Sequence, residues 1–144
     1  MTVGDLIGER QEVFSITEET TVYEAARYLR EKQVRSVGVR DTRGKLSGVV
    51  SQSDISDKVA AENKCPSWLH VSEIMSTSLI TVPLEAPLDE CLRLMEKHNI
   101  YHLLVMDEAS GFRGTISTQD LLRVVASDEK SRADMLEAFL YPQR

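Results

Sequence analysis

Residues 48–55 read GVVSQSDI, and the same pattern returns at residues 114–121 as GTISTQDL. Sliding the chain against itself by these 66 positions also aligns the Val-x-Asp tripeptides at residues 39–41 and 105–107. Near the start of each copy the offset becomes 68, where VGDLI matches VSEIM. A repeat of this length predicts a chain that contains two copies of one supersecondary unit.

Both copies predict the same order of elements, because helical and strand periodicities follow each other in the same way. In the first copy, Thr21-x-x-Glu24 has the pattern of a capping box ahead of an apolar stripe. In the second copy, Pro87 suits a first helical position ahead of the same stripe. Strands are predicted at 14–17, 36–41 and 46–51, then at 79–82, 102–107 and 113–117, with closing helices at 52–62 and 118–126. Each unit is therefore β-α-β-β-α, which is an α+β fold.

The repeat also predicts the domain organisation. The first repeat covers residues 1–62, a linker residues 63–70, the second repeat residues 71–126 and a C-terminal helical tail residues 127–144. A unit of about 60 residues buries too little surface to be stable alone. We therefore expect the copies to pack with pseudo-twofold symmetry and to form two equivalent clefts.

Two segments outside the repeated elements carry apolar side chains. Trp68, in the linker, is expected to anchor the linker to the core, with stacking on a ligand as the alternative. The tail has its own apolar stripe, which consists of Met135, Leu136, Phe139 and Leu140. We expect this stripe to form a helix that covers the module or a partner subunit.

Composition argues against several classes of protein. Of the 144 residues, 42% are apolar and 28% are charged, as in an ordinary globular domain rather than a disordered or fibrous chain. The 17 basic and 23 acidic residues give a net charge of −6, which argues against a nucleic-acid partner. No apolar run approaches the roughly 20 residues that span a bilayer, and the first residues do not resemble a signal peptide. We expect a cytoplasmic protein without membrane association, and the sequence offers no catalytic constellation or metal-ligand spacing.

In both copies a strand ends in serine and an aspartate follows three residues later, as Ser51-x-x-Asp54 and Ser117-x-x-Asp120. Two interpretations remain open. The pattern suits a helix cap, in which the two side chains satisfy the first backbone N–H groups. It also suits a ligand site, because a helix N-terminus with a hydroxyl favours phosphate and a carboxylate can accept both hydroxyl hydrogens of a ribose.

Val-x-Asp, a glycine-containing turn and then Gly-h-h-Ser-x-x-Asp (h is apolar), present twice, resembles a tandem CBS-domain pair, or Bateman module. The resemblance covers roughly residues 3–126. It implies a regulatory module and not an enzyme. Its clefts would hold adenosine-containing regulatory ligands such as AMP, ADP, ATP or S-adenosylmethionine, with no cofactor required. It further implies a homodimer of modules and ligand sensing that signals to an effector protein.

The resemblance also implies roles for matching residues. Asp54 and Asp120 would hold the ribose, and Ser51 and Ser117 the phosphate. Adenine contacts would come from the first strand of the opposite copy, which pairs Asp120 with residues 15–17 and Asp54 with residues 80–82. The candidate adenine contacts in these strands are Ile16, Thr17, Thr81 and Val82. His102 stands where such modules often carry histidine or arginine.

The two clefts are not expected to be equal. Thr17 corresponds to Pro83, which lacks both a hydroxyl and a backbone N–H. Ser53, before the first aspartate, corresponds to Gln119 before the second.

Basic residues near the motifs have two interpretations. Lys58 follows Asp54 by four residues and Arg123 follows Asp120 by three, so each is either a surface ion pair or a phosphate contact. His102 and Arg35 are candidates for a phosphate or partner contact, with a structural role as the alternative. The alternative function for the whole chain is a scaffold or dimerisation module without ligand, in which the motif residues serve only as caps.

Overall fold

The computed structural model describes residues 1–8 and 13–127, together with Ala133, Glu137 and Leu140. The chain divides into two compact units. The continuous unit is Phe14–Leu79, and the split unit combines Met1–Val13 with Ile80–Arg144.

The elements follow the order predicted for two β-α-β-β-α repeats. Along the chain they are α1 (Val3–Ile7), β1 (Ser15–Thr17), α2 (Val22–Lys32), β2 (Ser36–Arg40), β3 (Leu46–Ser51), α3 (Gln52–Ile55), β4 (Thr81–Val82), α4 (Leu88–His98), β5 (His102–Asp107), β6 (Gly111–Ser117) and α5 (Thr118–Ser127). α3 continues into a π-helical turn at Ser56–Ala60, and 3₁₀ turns lie at Pro66–Trp68 and Val71–Glu73. The predicted α+β class and its repeated unit are confirmed.

Each unit contains one three-stranded sheet, in the order β1-β2-β3 or β4-β5-β6. In both sheets the first strand pairs in parallel with the second, and the second pairs antiparallel with the third. The central strands are buried on both faces, with Ser36 to Val39 buried in β2 and Leu103 to Val105 buried in β5. This burial on two faces explains why these strands read as continuous apolar runs rather than as an alternating pattern.

The first helix of each repeat is fixed at both ends by local chemistry. The Thr21 hydroxyl accepts the N–H of Glu24 at 3.1 Å and caps α2. α4 begins one residue later than predicted, because Pro87 takes the N-cap position. Both helices end at a left-handed residue, Gln33 (φ 57°) and Asn99 (φ 53°), which lie 66 positions apart.

The first segment of each repeat, α1 in the first and Val71–Glu73 in the second, is its lead-in. Each lead-in packs in the compact unit that contains the strands of the other repeat. α1 belongs to the first repeat, yet its Val3 N–H donates to the Ala86 carbonyl at 2.9 Å, and Val3 and Ile7 are fully buried in the core of the split unit. The lead-in of the second repeat behaves in the same way. Val71 donates its N–H to the Thr20 carbonyl at 2.8 Å and is buried in the core of the continuous unit. Each unit is therefore completed by the lead-in of the other repeat.

The structure corrects the prediction for the linker. Trp68 is 83% exposed and does not anchor the linker. Backbone contacts perform that role, because the Leu69 carbonyl accepts the Val22 N–H at 2.8 Å and Val71 enters the core. The chain forms a tight 3₁₀ turn at Pro66–Trp68, which leaves the indole in solvent.

The predicted apolar stripe of the tail falls largely on Met135, Leu136 and Phe139, which lie outside the described residues. Leu140 is described, and it is helical and 66% exposed. Within residues 1–8 and 13–127, no helix is long and apolar enough to cross a membrane.

Candidate functional site

The first Ser-x-x-Asp motif forms a closed capping box at the junction of β3 and α3. The Ser51 hydroxyl accepts the Asp54 N–H at 3.2 Å. In return, Asp54 Oδ2 accepts the Ser51 N–H at 2.9 Å and the Ser51 hydroxyl at 3.1 Å. Gln52, the first residue of α3, donates its N–H to the Arg35 carbonyl at 2.9 Å. The N–H groups of Ser51, Gln52 and Asp54 at this junction therefore all have partners within the unit.

The second motif repeats this arrangement at the junction of β6 and α5. Asp120 Oδ2 accepts the Ser117 N–H at 2.9 Å, and the Ser117 hydroxyl accepts the Asp120 N–H at 3.2 Å. Thr118 donates its N–H to the Tyr101 carbonyl at 2.9 Å, as Gln52 does to Arg35. The side chains of Asp54 and Asp120 are each 16% exposed. Both units thus present one carboxylate in the same position, mostly shielded from water but still accessible.

The cations beside the two carboxylates differ. Lys58 Nζ lies 3.1 Å from Asp54 Oδ1 and also donates to the Ile74 carbonyl at 2.8 Å. Arg123 Nη1 lies 3.8 Å from Asp120 Oδ1, and its side chain is 79% exposed. The first cation is held at a fixed position by two oxygens, whereas the second forms a loose surface pair.

A π-helical turn distinguishes the helix of the first motif from that of the second. Ala61 donates its N–H to the Ser56 carbonyl at 2.8 Å, five residues back, while α5 remains a regular helix. Turns of this type are rare in proteins, and those that occur often lie at functional sites. Lys58 lies within the turn, so the cation and the irregularity coincide.

The predicted adenine contacts lie on the first strands with alternating burial. Ile16 and Val82 are buried in their cores, so only their backbone groups could meet a ligand. Thr17 and Thr81 are exposed. The Thr17 N–H donates to the Thr20 hydroxyl at 3.3 Å, which occupies the donor that distinguishes this position from Pro83.

Four further candidates flank the motifs. Ser53 and Gln119 are exposed in the first turns of their helices. His102 begins β5 and is paired with Ser117 across the sheet. Arg35 is exposed, and its carbonyl, as described above, accepts the first N–H of α3.

Sequence reasoning missed the true counterpart of His102. Ser36, 66 positions earlier, is paired with Ser51 in the same register and is 6% exposed. The repeat offset of 66 residues identifies Ser36, whereas the positive charge of Arg35, one position earlier, has no counterpart in this register.

The Val-x-Asp aspartates serve the hairpin turns. Asp41 Oδ1 accepts the N–H groups of Arg43 and Lys45 at 2.9 and 3.0 Å. Asp107 Oδ2 accepts the Ser110 hydroxyl at 2.7 Å, and this bond lowers the pKa of the Asp107 carboxyl. These aspartates are turn-forming residues of the kind expected between strands. Within the described residues, no cluster of three or more histidine, cysteine or acidic side chains is positioned to hold a metal ion.

Comparison with known proteins gives one consistent result. A family model described as the CBS domain matches the chain twice, at residues 3–61 and 71–127. Among curated proteins, the uncharacterised protein MJ1232 of Methanocaldococcus jannaschii is 30% identical over 86% of this chain. The chain spans only 39% of that relative's length.

Solved structures agree with the family match. A protein with CBS domains from Burkholderia ambifaria has a TM-score of 0.83 at 28% identity, covering 90% of this chain and 96% of that one. The CBS domain pair of protein MJ0100, in complex with 5′-methylthioadenosine and S-adenosyl-L-methionine, has a TM-score of 0.77 at 26% identity. That match covers 88% of this chain and 97% of that one.

Proposed function

The chain belongs to the CBS-domain family, and from this premise we propose that it is a regulatory module that binds adenosine-containing ligands at its two Ser-x-x-Asp motifs. The observation that carries the proposal is that Asp54 and Asp120 have the same surroundings. Each carboxylate is 16% exposed, held by its serine and placed in the first turn of a helix.

The chemistry of each motif suits a nucleoside. A carboxylate can accept about four hydrogen bonds, and the capping box uses only some of them. The remaining acceptor positions are available to the two hydroxyl groups of a ribose. The helix N-terminus and the serine hydroxyl favour a phosphate or another anionic group on the 5′ side. Ser51 and Ser117 are the proposed phosphate contacts, and Asp54 and Asp120 the proposed ribose contacts. The backbone of residues 15–17 and 80–82 remains the predicted source of adenine contacts.

The MJ0100 complex supports an adenosine moiety as the common feature of the ligand, because both of its bound molecules contain one. AMP, ADP, ATP, S-adenosylmethionine and 5′-methylthioadenosine form the candidate set. The net charge of −6 opposes an anionic ligand, so we propose weak binding that follows ligand concentration rather than permanent retention.

Calorimetric titration of nucleotide-stripped protein with each of the five candidates tests the proposal. We expect saturable binding of at least one, and a gain in unfolding free energy of about 2.7 kcal/mol at 100 times its Kd. If none of the five binds at millimolar concentration, the proposed function is wrong.

A second candidate function is a scaffold or dimerisation module. It is favoured by the closed capping boxes, which give both motifs a complete structural role without any ligand. Within the leading proposal, the chain acts as a non-catalytic sensor in the cytoplasm. It assembles as a homodimer and passes the ligand signal to an effector protein.

A further inference from the structure

The ammonium group of Lys58 joins the first motif to a segment far along the chain. It lies 3.1 Å from Asp54 Oδ1 and donates to the Ile74 carbonyl at 2.8 Å. Ile74 follows the 3₁₀ turn of the second lead-in and is 5% exposed in the core of the continuous unit. One side chain therefore contacts both the proposed ribose carboxylate and the lead-in of the second repeat.

Residues 74–76 are also held to the continuous unit by backbone bonds and by packing, since Ile74 and Met75 donate to the Val71 carbonyl and Met75 packs against the core. Ser76 and Val49 exchange two backbone hydrogen bonds, of 2.8 and 3.0 Å. Met75 packs so closely on Gly48 that a Cβ at that glycine would lie 2.5 Å from Met75 Sδ. The chain leaves the continuous unit three residues later, at Leu79. The Lys58 bond thus adds a side-chain contact, the one that reaches the proposed ribose carboxylate, to the backbone bonds and packing of this segment.

A ribose at Asp54 would compete with Lys58 for the carboxylate. Asp54 Oδ2 already accepts two hydrogen bonds from Ser51, so the free capacity lies at Oδ1, which Lys58 shares. Two ribose hydroxyls need two acceptor positions. The partner that can yield is the half-exposed lysine, because the Ser51 N–H is fixed by the backbone.

The corresponding cation of the second motif has no such contact in the described residues. Arg123 is paired with Asp120 at 3.8 Å and is otherwise exposed to solvent. The residue 66 positions after Lys58 is Val124, which is 7% exposed in the core of the split unit. In the continuous unit the buried residue is instead Val59, at 2% exposure, one position after Lys58. The π-helical turn at Ser56–Ala60 contains both residues. The irregular turn therefore releases position 58 from the core and allows it to carry a lysine.

We propose that Lys58 couples ligand occupancy at Asp54 to residues 74–76, so that the first motif and not the second controls how firmly this segment is held. The coupling rests on the proposed function, since it requires a ribose at Asp54. It deepens that function by naming the element that changes when ligand binds.

Amide hydrogen exchange, resolved to single residues by NMR, tests the coupling. The reporters are Met75, which donates to the Val71 carbonyl at 2.8 Å, and Ser76, which donates to the Val49 carbonyl at 2.8 Å. In ligand-free protein, Lys58→Met should accelerate their exchange about tenfold, the fold-change that corresponds to a lost hydrogen bond with a charged group. Lys64→Met, another exposed lysine of the same unit, should leave them unchanged. Unaltered exchange in α2 serves as the internal check that the variant is folded.

The ligand arm uses 5′-methylthioadenosine, which has the ribose diol but no phosphate. We expect it to accelerate exchange at Met75 and Ser76 in the parent protein and to add nothing in the Lys58→Met variant. Arg123→Met should leave exchange in α1, the matching lead-in, unchanged.

Calorimetric binding with unaltered exchange at Met75 and Ser76 would overturn the coupling and leave the proposed function in place. Absence of binding by all five candidate ligands would overturn both. Exchange in the ligand-free Lys58→Met variant equal to that of the parent would overturn the coupling whatever the ligand does.

Discussion

His102 lies directly opposite Ser117 in the antiparallel pairing of β5 with β6. Residues opposite each other in such a pair are about 5 Å apart at their Cα atoms, so an imidazole stands beside the second proposed phosphate contact. At the matching position of the other unit, Ser36 stands opposite Ser51. The two motifs therefore share a carboxylate and a serine but differ in the group next to the serine.

This difference predicts a ligand-dependent effect of His102→Ser, which gives the second motif the neighbour that the first motif has. We expect the affinity of the second site for AMP to fall about tenfold, because a contact to a charged phosphate is lost. Affinity for 5′-methylthioadenosine, which has no phosphate, should change less than twofold. Calorimetry with both ligands measures the contrast, and His98→Ser, on the exposed end of α4, is the control. Equal losses for the two ligands would show that His102 is structural.

Substitutions of the two aspartates separate a ligand-binding module from a scaffold. Asp54→Ala with Asp120→Ala removes the carboxylate half of each capping box, the bonds that Oδ2 accepts from the serine, and should lower the free energy of unfolding by about 1 kcal/mol per motif. Asparagine at both positions retains an oxygen that accepts the serine N–H, so it should recover most of this stability. Neither variant should bind nucleotide, because an amide offers one acceptor oxygen where a carboxylate offers two. If the alanine variant loses stability in denaturant unfolding but calorimetry shows no change in nucleotide binding from the parent, the motif aspartates serve only as caps, as the scaffold alternative requires.

Gly48 is expected to tolerate a side chain poorly. A Cβ there would lie 2.5 Å from Met75 Sδ and 3.1 Å from the Ser76 carbonyl oxygen. Gly48→Ala should therefore lower the free energy of unfolding by about 1–3 kcal/mol, as overpacked sites do. Met75→Ala removes the sulfur, so the double variant should be more stable than the sum of the single changes predicts. A denaturant double-mutant cycle measures this coupling, and strict additivity would show that the glycine is required for another reason.

The two cysteines should differ in reactivity and in their effect on stability at high pH. Burial, with the charges of Glu90 and Asp89, raises the pKa of the Cys91 thiol from 9.0 to about 11, whereas Cys65 is exposed. At pH 8, iodoacetamide should modify Cys65 in the folded protein and reach Cys91 only after unfolding. Mass spectrometry of the digested protein identifies the modified thiol.

The same shift has a definite sign for stability. Below pH 9 the Cys91 thiol is protonated in both the folded and the unfolded chain, and its contribution is complete. Between about pH 9 and 11 the unfolded chain loses the proton first, so the free energy of unfolding decreases as pH rises. Cys91→Ala should reduce this decrease in denaturant titrations at pH 8, 9, 10 and 11. An identical pH dependence in the variant would show that the thiol does not carry it.

Local patterns were enough to predict the order of elements. The strands 46–51 and 102–107 have the predicted bounds because their apolar runs end at residues with strong turn or capping chemistry. The capping boxes were also visible, since their partners lie three residues apart. Contacts between distant residues were not visible. The bond from Lys58 to Ile74 spans 16 positions, and no periodicity encodes it.

Trp68 shows the limit of composition as a guide. A single tryptophan in a linker suggests an anchor, because large aromatic side chains dominate core packing. The indole is nevertheless exposed. The Leu69 carbonyl accepts the Val22 N–H and the Val71 side chain is buried in the core, so these two residues hold the linker in its place. The π-helical turn was equally hidden, because local periodicity predicts a regular helix in both repeats, and only the structure shows Lys58 exposed where Val124 is buried.

The exchange of lead-in segments constrains how such a chain could have arisen by gene duplication. An ancestor with a single repeat could not bury its own lead-in, because α1 and Val71–Glu73 each dock on the copy to which they do not belong. Two ancestral polypeptides would have had to trade these segments in order to fold. A fusion of two such genes would turn the intermolecular trade into an intramolecular one, in which each half still depends on the other for its core while positions such as Lys58 and Val124 differ.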